Sequence, residues 1–140
     1  MATRDLFSRV SGKWKKLAAT DAIPAANIPA ASLAAAPTAL IDGATITWTL
    51  DPTTAQQNAT VTLGGSRTLA FSGAVAGMTG MLIVKQDATG SRALTLPSGS
   101  KVVNAGAGAI GPTAAANSVD IYSWFYDGTN YFWSYGKNFT

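Results

Sequence analysis

The chain predicts an all-β fold: a small antiparallel β-sandwich or barrel, jelly-roll-like, behind an N-terminal helix and an extended Ala/Pro linker. Three observations predict it. Short alternations of apolar and polar residues recur from position 44 onward, at a spacing of roughly ten residues. Turn signals separate them, among them Asp51-Pro52, Gly64-Gly65-Ser66 and Asp127-Gly128. Nothing between them is long and periodic enough to form a crossover helix.

In chain order, residues 4–18 come first. Leu6, Val10, Trp14 and Leu17 fall at steps of four, four and three, one face of a helix. Thr3 suits its N-cap, Asp5 its first turn, and Lys13, Lys15 and Lys16 its C-terminal end. Gly12 weakens that helix by about 1 kcal/mol relative to Ala. Residues 1–20 therefore read as a basic amphipathic anchor, with Leu6, Phe7, Val10, Trp14 and Leu17 and the three lysines as its docking side chains. A mobile tail is the bland alternative, and binding to a membrane surface the weaker one.

Residues 23–37 repeat with a period of five: Ile-Pro-Ala-Ala-Asn, Ile-Pro-Ala-Ala-Ser, Leu-Ala-Ala-Ala-Pro. The prolines forbid a regular helix and push the residue before each of them into extended backbone. Residues 21–43 read as an extended linker with Ile23, Ile28 and Leu33 as apolar pegs, or as a plain spacer.

The β region follows. Residues 45–50 alternate Ile46, Trp48 and Leu50 with threonines. Residues 58–63 and 67–71 flank Gly64-Gly65-Ser66, which predicts a hairpin with Val61 opposite Leu69 and Ala59 opposite Phe71. Residues 81–86 and 93–96 flank a turn that would set Asp87 beside Arg92. Residues 101–103 make a short strand and 105–116 a loop. The last two strands, 119–126 and 131–135, enclose Asp127-Gly128-Thr129-Asn130. A two-residue loop at Gly128 and Thr129 pairs Tyr126 with Tyr131, Trp124 with Trp133 and Tyr122 with Tyr135. All six rings then share one face, because side chains alternate along a strand. Val119, Ile121, Phe125 and Phe132 take the other. A hairpin apolar on both faces must be a core strand pair, a subunit interface or a ligand platform. Packing is the stronger reading of the six rings, since six exposed rings would make an aggregation-prone patch. A platform for a host surface glycan is the second.

Composition narrows the function. Charged residues make up 12% of the 140-residue chain, about half the usual share. So sparse a charge suits a surface covered by partners or by further copies of the chain. The net charge of +3 is uneven: residues 1–20 carry five basic side chains and one acidic, residues 21–140 five basic and six acidic. The basic character belongs to the N-terminus, and the body lacks the basic surface that nucleic-acid binding needs. No run reaches the ~20 apolar residues of a membrane span, and the basic start lacks the compact apolar run of a secretory signal.

The chain has no Cys, no His and no Glu. Serine hydrolysis lacks its histidine, and zinc its usual ligands. The seven Asp sit mostly at turns, where they serve turn chemistry. A carboxylate pair cleaving glycans remains the distant enzyme alternative. Gly106-Ala-Gly108-Ala-Ile-Gly111 spells the dinucleotide fingerprint, but Pro112 falls where its helix should run and no βαβ unit surrounds it. The expectation is no catalytic residue, no metal and no cofactor.

Four blocks carry a resemblance: residues 46–50 (Ile-Thr-Trp-Thr-Leu), 59–71 (Ala-Thr-Val-Thr-Leu-Gly-Gly-Ser-Arg-Thr-Leu-Ala-Phe), 80–97 and 126–136. In this order they resemble small β-domains of tailed-bacteriophage virion proteins, of the head-fibre and tail-fibre type. The likeness spans about residues 45–140, and the Ala/Pro stretch more weakly resembles phage fibre N-termini. The resemblance implies a homotrimeric, β-rich structural module whose N-terminus docks on the particle. The expected protein is then a head or tail fibre or spike on the virion surface. Residues 1–20 anchor it to capsid or tail proteins, 21–43 link, and 44–140 form a trimerising knob, with no nucleic-acid or membrane partner. A capsid decoration protein and a carbohydrate-binding module are the alternatives.

Overall fold

A computed structural model of the chain describes residues 7–10, 13–16, 36–54, 57–103, 106–107 and 110–139. Among them are twelve strands and no helix. Strands β1 (Phe7–Val10) and β2 (Lys13–Lys16) pair antiparallel, with Val10 beside Lys13 and Phe7 beside Lys16. This corrects the helix expected there. Phe, Val and Trp favour strands, and a glycine at 12 penalises a helix more than a chain reversal. Leu6 and Leu17 of the expected docking face lie outside the described residues.

The remaining strands are β3 (Thr38–Ala39), β4 (Thr45–Thr49), β5 (Gln57–Leu63), β6 (Arg67–Ser72), β7 (Thr79–Gln86), β8 (Leu94–Thr95), β9 (Ser100–Val102), β10 (Gly106–Ala107), β11 (Val119–Tyr126) and β12 (Tyr131–Phe139). They form a seven-stranded sheet, ordered β10-β9-β12-β11-β7-β5-β3, and a three-stranded sheet, ordered β4-β6-β8. The strand positions agree with the alternation in the sequence. β3 and β10 are short and were not anticipated.

The pairing differs from the antiparallel, jelly-roll-like expectation. From β3 to β8 the chain alternates between the two sheets, and each strand lies parallel to the one two places on. Thus β5 is parallel to β3 and β7, and β6 to β4 and β8. The result is a stack of coils, each placing one strand in each sheet. Thr45 lies beside Thr68 and Gln57 beside Gly80, a step of 23 residues in the middle of each sheet, while Thr38–Ala59 steps by 21 and Arg67–Leu94 by 27. The antiparallel pairs of the large sheet are β9 with β10 and those of the closing hairpin: β11 pairs with β7 on one side and β12 on the other, and β12 in turn pairs parallel with β9.

The predicted β5–β6 hairpin is therefore not formed. Gly64-Gly65-Ser66 instead carries the chain from one sheet to the other. The bend holds a two-pronged ion pair: Arg67 Nε and Nη2 donate to Asp42 Oδ1 and Oδ2 at 2.7 and 2.6 Å. A Cβ on Gly64 would lie 2.9 Å from Asp42 Oδ2, and one on Gly65 2.6 Å from Arg67 Nη1. The glycines make room for the ion pair. The next bend in the same direction holds Asp87 against Arg92 (2.8 Å), as expected, although β7 and β8 also lie in different sheets.

Two buried glutamines close the bends from inside. Gln57 Oε1 accepts from Asp51 N–H (3.1 Å), and its Nε2 donates to the Asp51 carbonyl (2.8 Å). Gln86 does the same for Arg92, donating to its carbonyl (2.9 Å) and accepting from its N–H (3.0 Å). Between the sheets lies one apolar cluster, fed by Ile46, Trp48 and Leu69 from one and by Ala59, Val61, Leu82, Val84, Tyr122, Trp124 and Trp133 from the other. Burying a side chain of this size contributes ~1.5–3 kcal/mol each.

Candidate interaction surface of the closing hairpin

The hairpin turn is built by Asp127. Its Oδ1 accepts the N–H groups of Thr129 (2.7 Å) and Asn130 (2.6 Å), and its own N–H reaches the Asn130 carbonyl at 3.2 Å. Those N–H bonds, Asn130 first, hold the Asp127 carboxyl below its usual range. Gly128 supplies the left-handed backbone the turn needs, at φ 105°, and Tyr126 Oη donates to its carbonyl (2.8 Å). The register this sets is the one the sequence predicts: Tyr126 with Tyr131, Trp124 with Trp133, Tyr122 with Tyr135.

The structure separates the six rings by depth. Tyr122, Trp124 and Trp133 are buried, at 0–3% exposure, and Tyr126 and Tyr131 are half-buried against the same cluster. Tyr135 sits at the rim, 40% exposed, with Lys137 Nζ 5.3 Å from its ring centre. Trp124 meets Trp48 edge-on (5.8 Å) and Phe71 at 4.8 Å, while Phe71 stacks on Trp133 (5.9 Å, 9°). These contacts cross from one sheet to the other, so the hairpin rings are the floor of the chain's own core. Gly80 lies beside Trp124 in the register, where a Cβ would come 2.8 Å from the indole and clash with the Gln57 carbonyl.

Polar tips in this core are unevenly served. Trp133 Nε1 donates to Ser100 Oγ (2.9 Å), which donates to the Pro97 carbonyl (2.6 Å). Tyr122 Oη and Trp124 Nε1 are buried without a partner among the described residues. Burial pushes the Tyr122 phenol well above its ordinary range. Asp120, at a register shift in β11, is 1% exposed; it accepts from Thr113 N–H (2.6 Å), Thr113 Oγ1 (2.8 Å) and Asn138 N–H (2.8 Å). That carboxylate ties the loop before β11 to the end of β12. Neither it nor this role was legible in advance; its only sequence signal is an acid inside an apolar strand.

The face turned away from the core is the one available to a partner. Phe125 and Phe132 are register neighbours, 43% and 47% exposed. Phe125 lies beside Thr79 of β7, and Phe132 beside Lys101 of β9. Half-buried Ile121 and Ile83 continue the apolar strip, with Ser123 beside Met81 between them. The sequence had placed Ile121, Phe125 and Phe132 on this face, but it had directed attention to the opposite one. The proposed N-terminal docking residues Phe7, Val10, Lys13, Trp14, Lys15 and Lys16 lie in the β1–β2 pair, away from the hairpin in sequence.

Among the described residues no group of three or more metal-ligating side chains comes together. Asp42 and Asp87 face arginines, Asp51 caps a turn through Thr53 (2.8 Å), Asp127 builds the hairpin turn and Asp120 ties the loop. What the fold presents is a stack of β coils with an aromatic interior and one apolar outer face. Architecture of this kind defines a structural β module. Comparison with protein families gives the class its name: residues 48–131, from within β4 to the first residue of β12, match the family described as "Putative phage tail fibre C-terminal domain". The chain belongs to that family and is a virion-associated phage fibre protein. No curated protein and no solved structure matches it.

Proposed function

We propose that the chain is a short fibre or spike subunit. Residues 1–20 dock on capsid or tail proteins, 21–43 bridge, and 44–140 form a knob that associates as a homotrimer on the virion surface, where it meets the host. The observation that carries the self-association is the outer face of the seven-stranded sheet. Two neighbouring phenylalanines stand about half exposed there, flanked by Ile121 and Ile83. Exposed apolar strips of this kind mark interaction sites in soluble proteins. Family membership supports a fibre over a capsid decoration protein. The burial of Tyr122, Trp124 and Trp133 favours self-association over a sugar platform made of those rings.

Sedimentation of the full chain should give three times the monomer mass. The double variant Phe125→Ser/Phe132→Ser should sediment as a monomer with its far-ultraviolet spectrum unchanged. A wild-type monomer at micromolar concentration would sink the self-association. On the particle, a chain lacking residues 1–20 should be missing from virions; its continued incorporation would refute the anchor.

A further inference from the structure

The β1–β2 pair carries a charge that the rest of the described chain does not answer. Its register places one cation on every rung: Lys16 beside Phe7, Lys15 beside Ser8, Arg9 beside Trp14 and Lys13 beside Val10. Residues 7–16 contain no acid. Cations set this close on paired strands repel and weaken the pair. The knob offers little counter-charge, because its described carboxylates are already engaged. Asp42 faces Arg67 and Asp87 faces Arg92. Asp51 and Asp127 accept N–H groups of their own turns, and buried Asp120 holds Thr113 and Asn138. The backbone of the pair is also incomplete. β1 and β2 make a sheet of two strands and pair with no other described strand, and a two-stranded sheet is marginal in water. The two residues Ser11 and Gly12 separate the strands. With a loop of that length Val10 and Lys13 exchange hydrogen bonds across the pair, and so do Ser8 and Lys15. The N–H and C=O groups of Phe7 and Arg9 then line one outer edge, and those of Trp14 and Lys16 the other.

We propose that the β1–β2 pair docks by strand addition on an acidic sheet edge of a protein in the virion. The inference rests on the N-terminal anchor proposed above and names the surface that anchor recognises. Carboxylates beside the receiving strand neutralise the cations of the four rungs. The receiving backbone takes up the outward N–H and C=O groups of one edge, so the marginal pair becomes part of a wider sheet. The charge also speeds the encounter with such a partner. Two other polyanions would match the charge, a nucleic acid and an anionic lipid surface. Their phosphates accept hydrogen bonds from N–H groups but have no donor for the outward carbonyls, whereas a protein edge presents both.

The test supplies full-chain variants during phage growth and counts copies per purified particle by immunoblot. Arg9→Gln/Lys13→Gln/Lys15→Gln/Lys16→Gln should fall about tenfold or more below the wild type, while Lys13→Arg/Lys15→Arg/Lys16→Arg should stay within about twofold. Phe7→Pro and Trp14→Pro each remove an outward N–H and no charge, and Phe7→Val and Trp14→Val keep it. At one of the two positions the proline variant should be about tenfold scarcer on particles than the valine variant. Purified wild-type chain should bind particles grown without it, about tenfold more weakly at ~0.5 M than at ~0.1 M salt. Wild-type levels of the glutamine variant, salt-insensitive binding, or prolines matching valines at both positions would each overturn the proposal. So would binding to duplex DNA or to phosphatidylglycerol vesicles as tight as to the particles. Loss of the chain lacking residues 1–20 with retention of the glutamine variant would remove this inference and leave the anchor standing. Retention of both would remove the anchor as well.

Discussion

Two buried polar side chains in the closing hairpin behave oppositely under substitution. Asp120 accepts three hydrogen bonds at 2.6–2.8 Å in a site that is 1% exposed. Asp120→Ala strands the Thr113 and Asn138 N–H donors, and the expected loss is about 3 kcal/mol in urea unfolding. Tyr122 Oη has no partner among the described residues and sits in a side chain with no exposure. Tyr122→Phe keeps the ring and removes an unserved hydroxyl. Its unfolding free energy should stay within about 0.5 kcal/mol of the wild type or rise. A loss above about 2 kcal/mol would mean the hydroxyl is hydrogen-bonded after all. Sequence reasoning reached the first half of this picture. Alternation placed Tyr122 on the ring-bearing face, but a lone Asp within an apolar strand does not announce the loop it holds.

At the level of strands, the sequence was informative about position and face and silent about neighbours. Residues 57–63 alternate inward and outward as Ala59 and Val61 require, and the same alternation serves a hairpin or a crossing between sheets. In both arrangements Val61 and Leu69 turn into the core: side by side in a hairpin, from different sheets into one cluster here. Only the hydrogen bonds differ, and those are backbone properties that side-chain patterning does not encode. One signal was present: Thr45-Ile46-Thr47-Trp48 and Thr68-Leu69-Ala70-Phe71 are similar in pattern at the coil step. Internal repeats of this length indicate stacking. By contrast, the terminal register was legible because Asp127-Gly128 fixes the turn locally. The parallel pairing is checked by cysteines placed on exposed positions. Thr62→Cys/Lys85→Cys, neighbours across β5 and β7, should cross-link under mild oxidation. Thr62→Cys/Thr68→Cys, which a β5–β6 hairpin would bring together, should not.

Across the molecule, the carboxyls held below their ordinary range among the described residues are aspartates at bends. Asp42 is held below the ordinary value of 3.8 by the Arg67 side chain, Asp87 by Arg92, Asp51 by the Thr53 hydroxyl and Asp127 by the Asn130 N–H. A carboxyl whose folded pKa is depressed stabilises fully above its unfolded value. That contribution is lost as pH falls through the folded value, because the unfolded chain then binds more protons. The melting temperature should therefore hold steady from about pH 8 to pH 5 and fall below about pH 4. The absence of histidine removes the usual titration near neutrality. All four groups are close to solvent, so added salt should shrink the acid-side fall. A scanning-calorimetry series showing a gain between pH 4 and pH 3 would contradict the assignment.

The alternation of the chain between two sheets has a consequence for how such a knob can vary in length. Each coil adds one strand to each sheet and raises the stack by about 4.8 Å. Duplicating the stretch from Gln57 to the residue before Gly80 would insert one further storey while every inward residue keeps its column. A single residue inserted within β5 would instead swap its inner and outer faces. Height can thus be edited in whole coils, while the closing hairpin, with its tightly fixed turn, stays constant on the far side of β7.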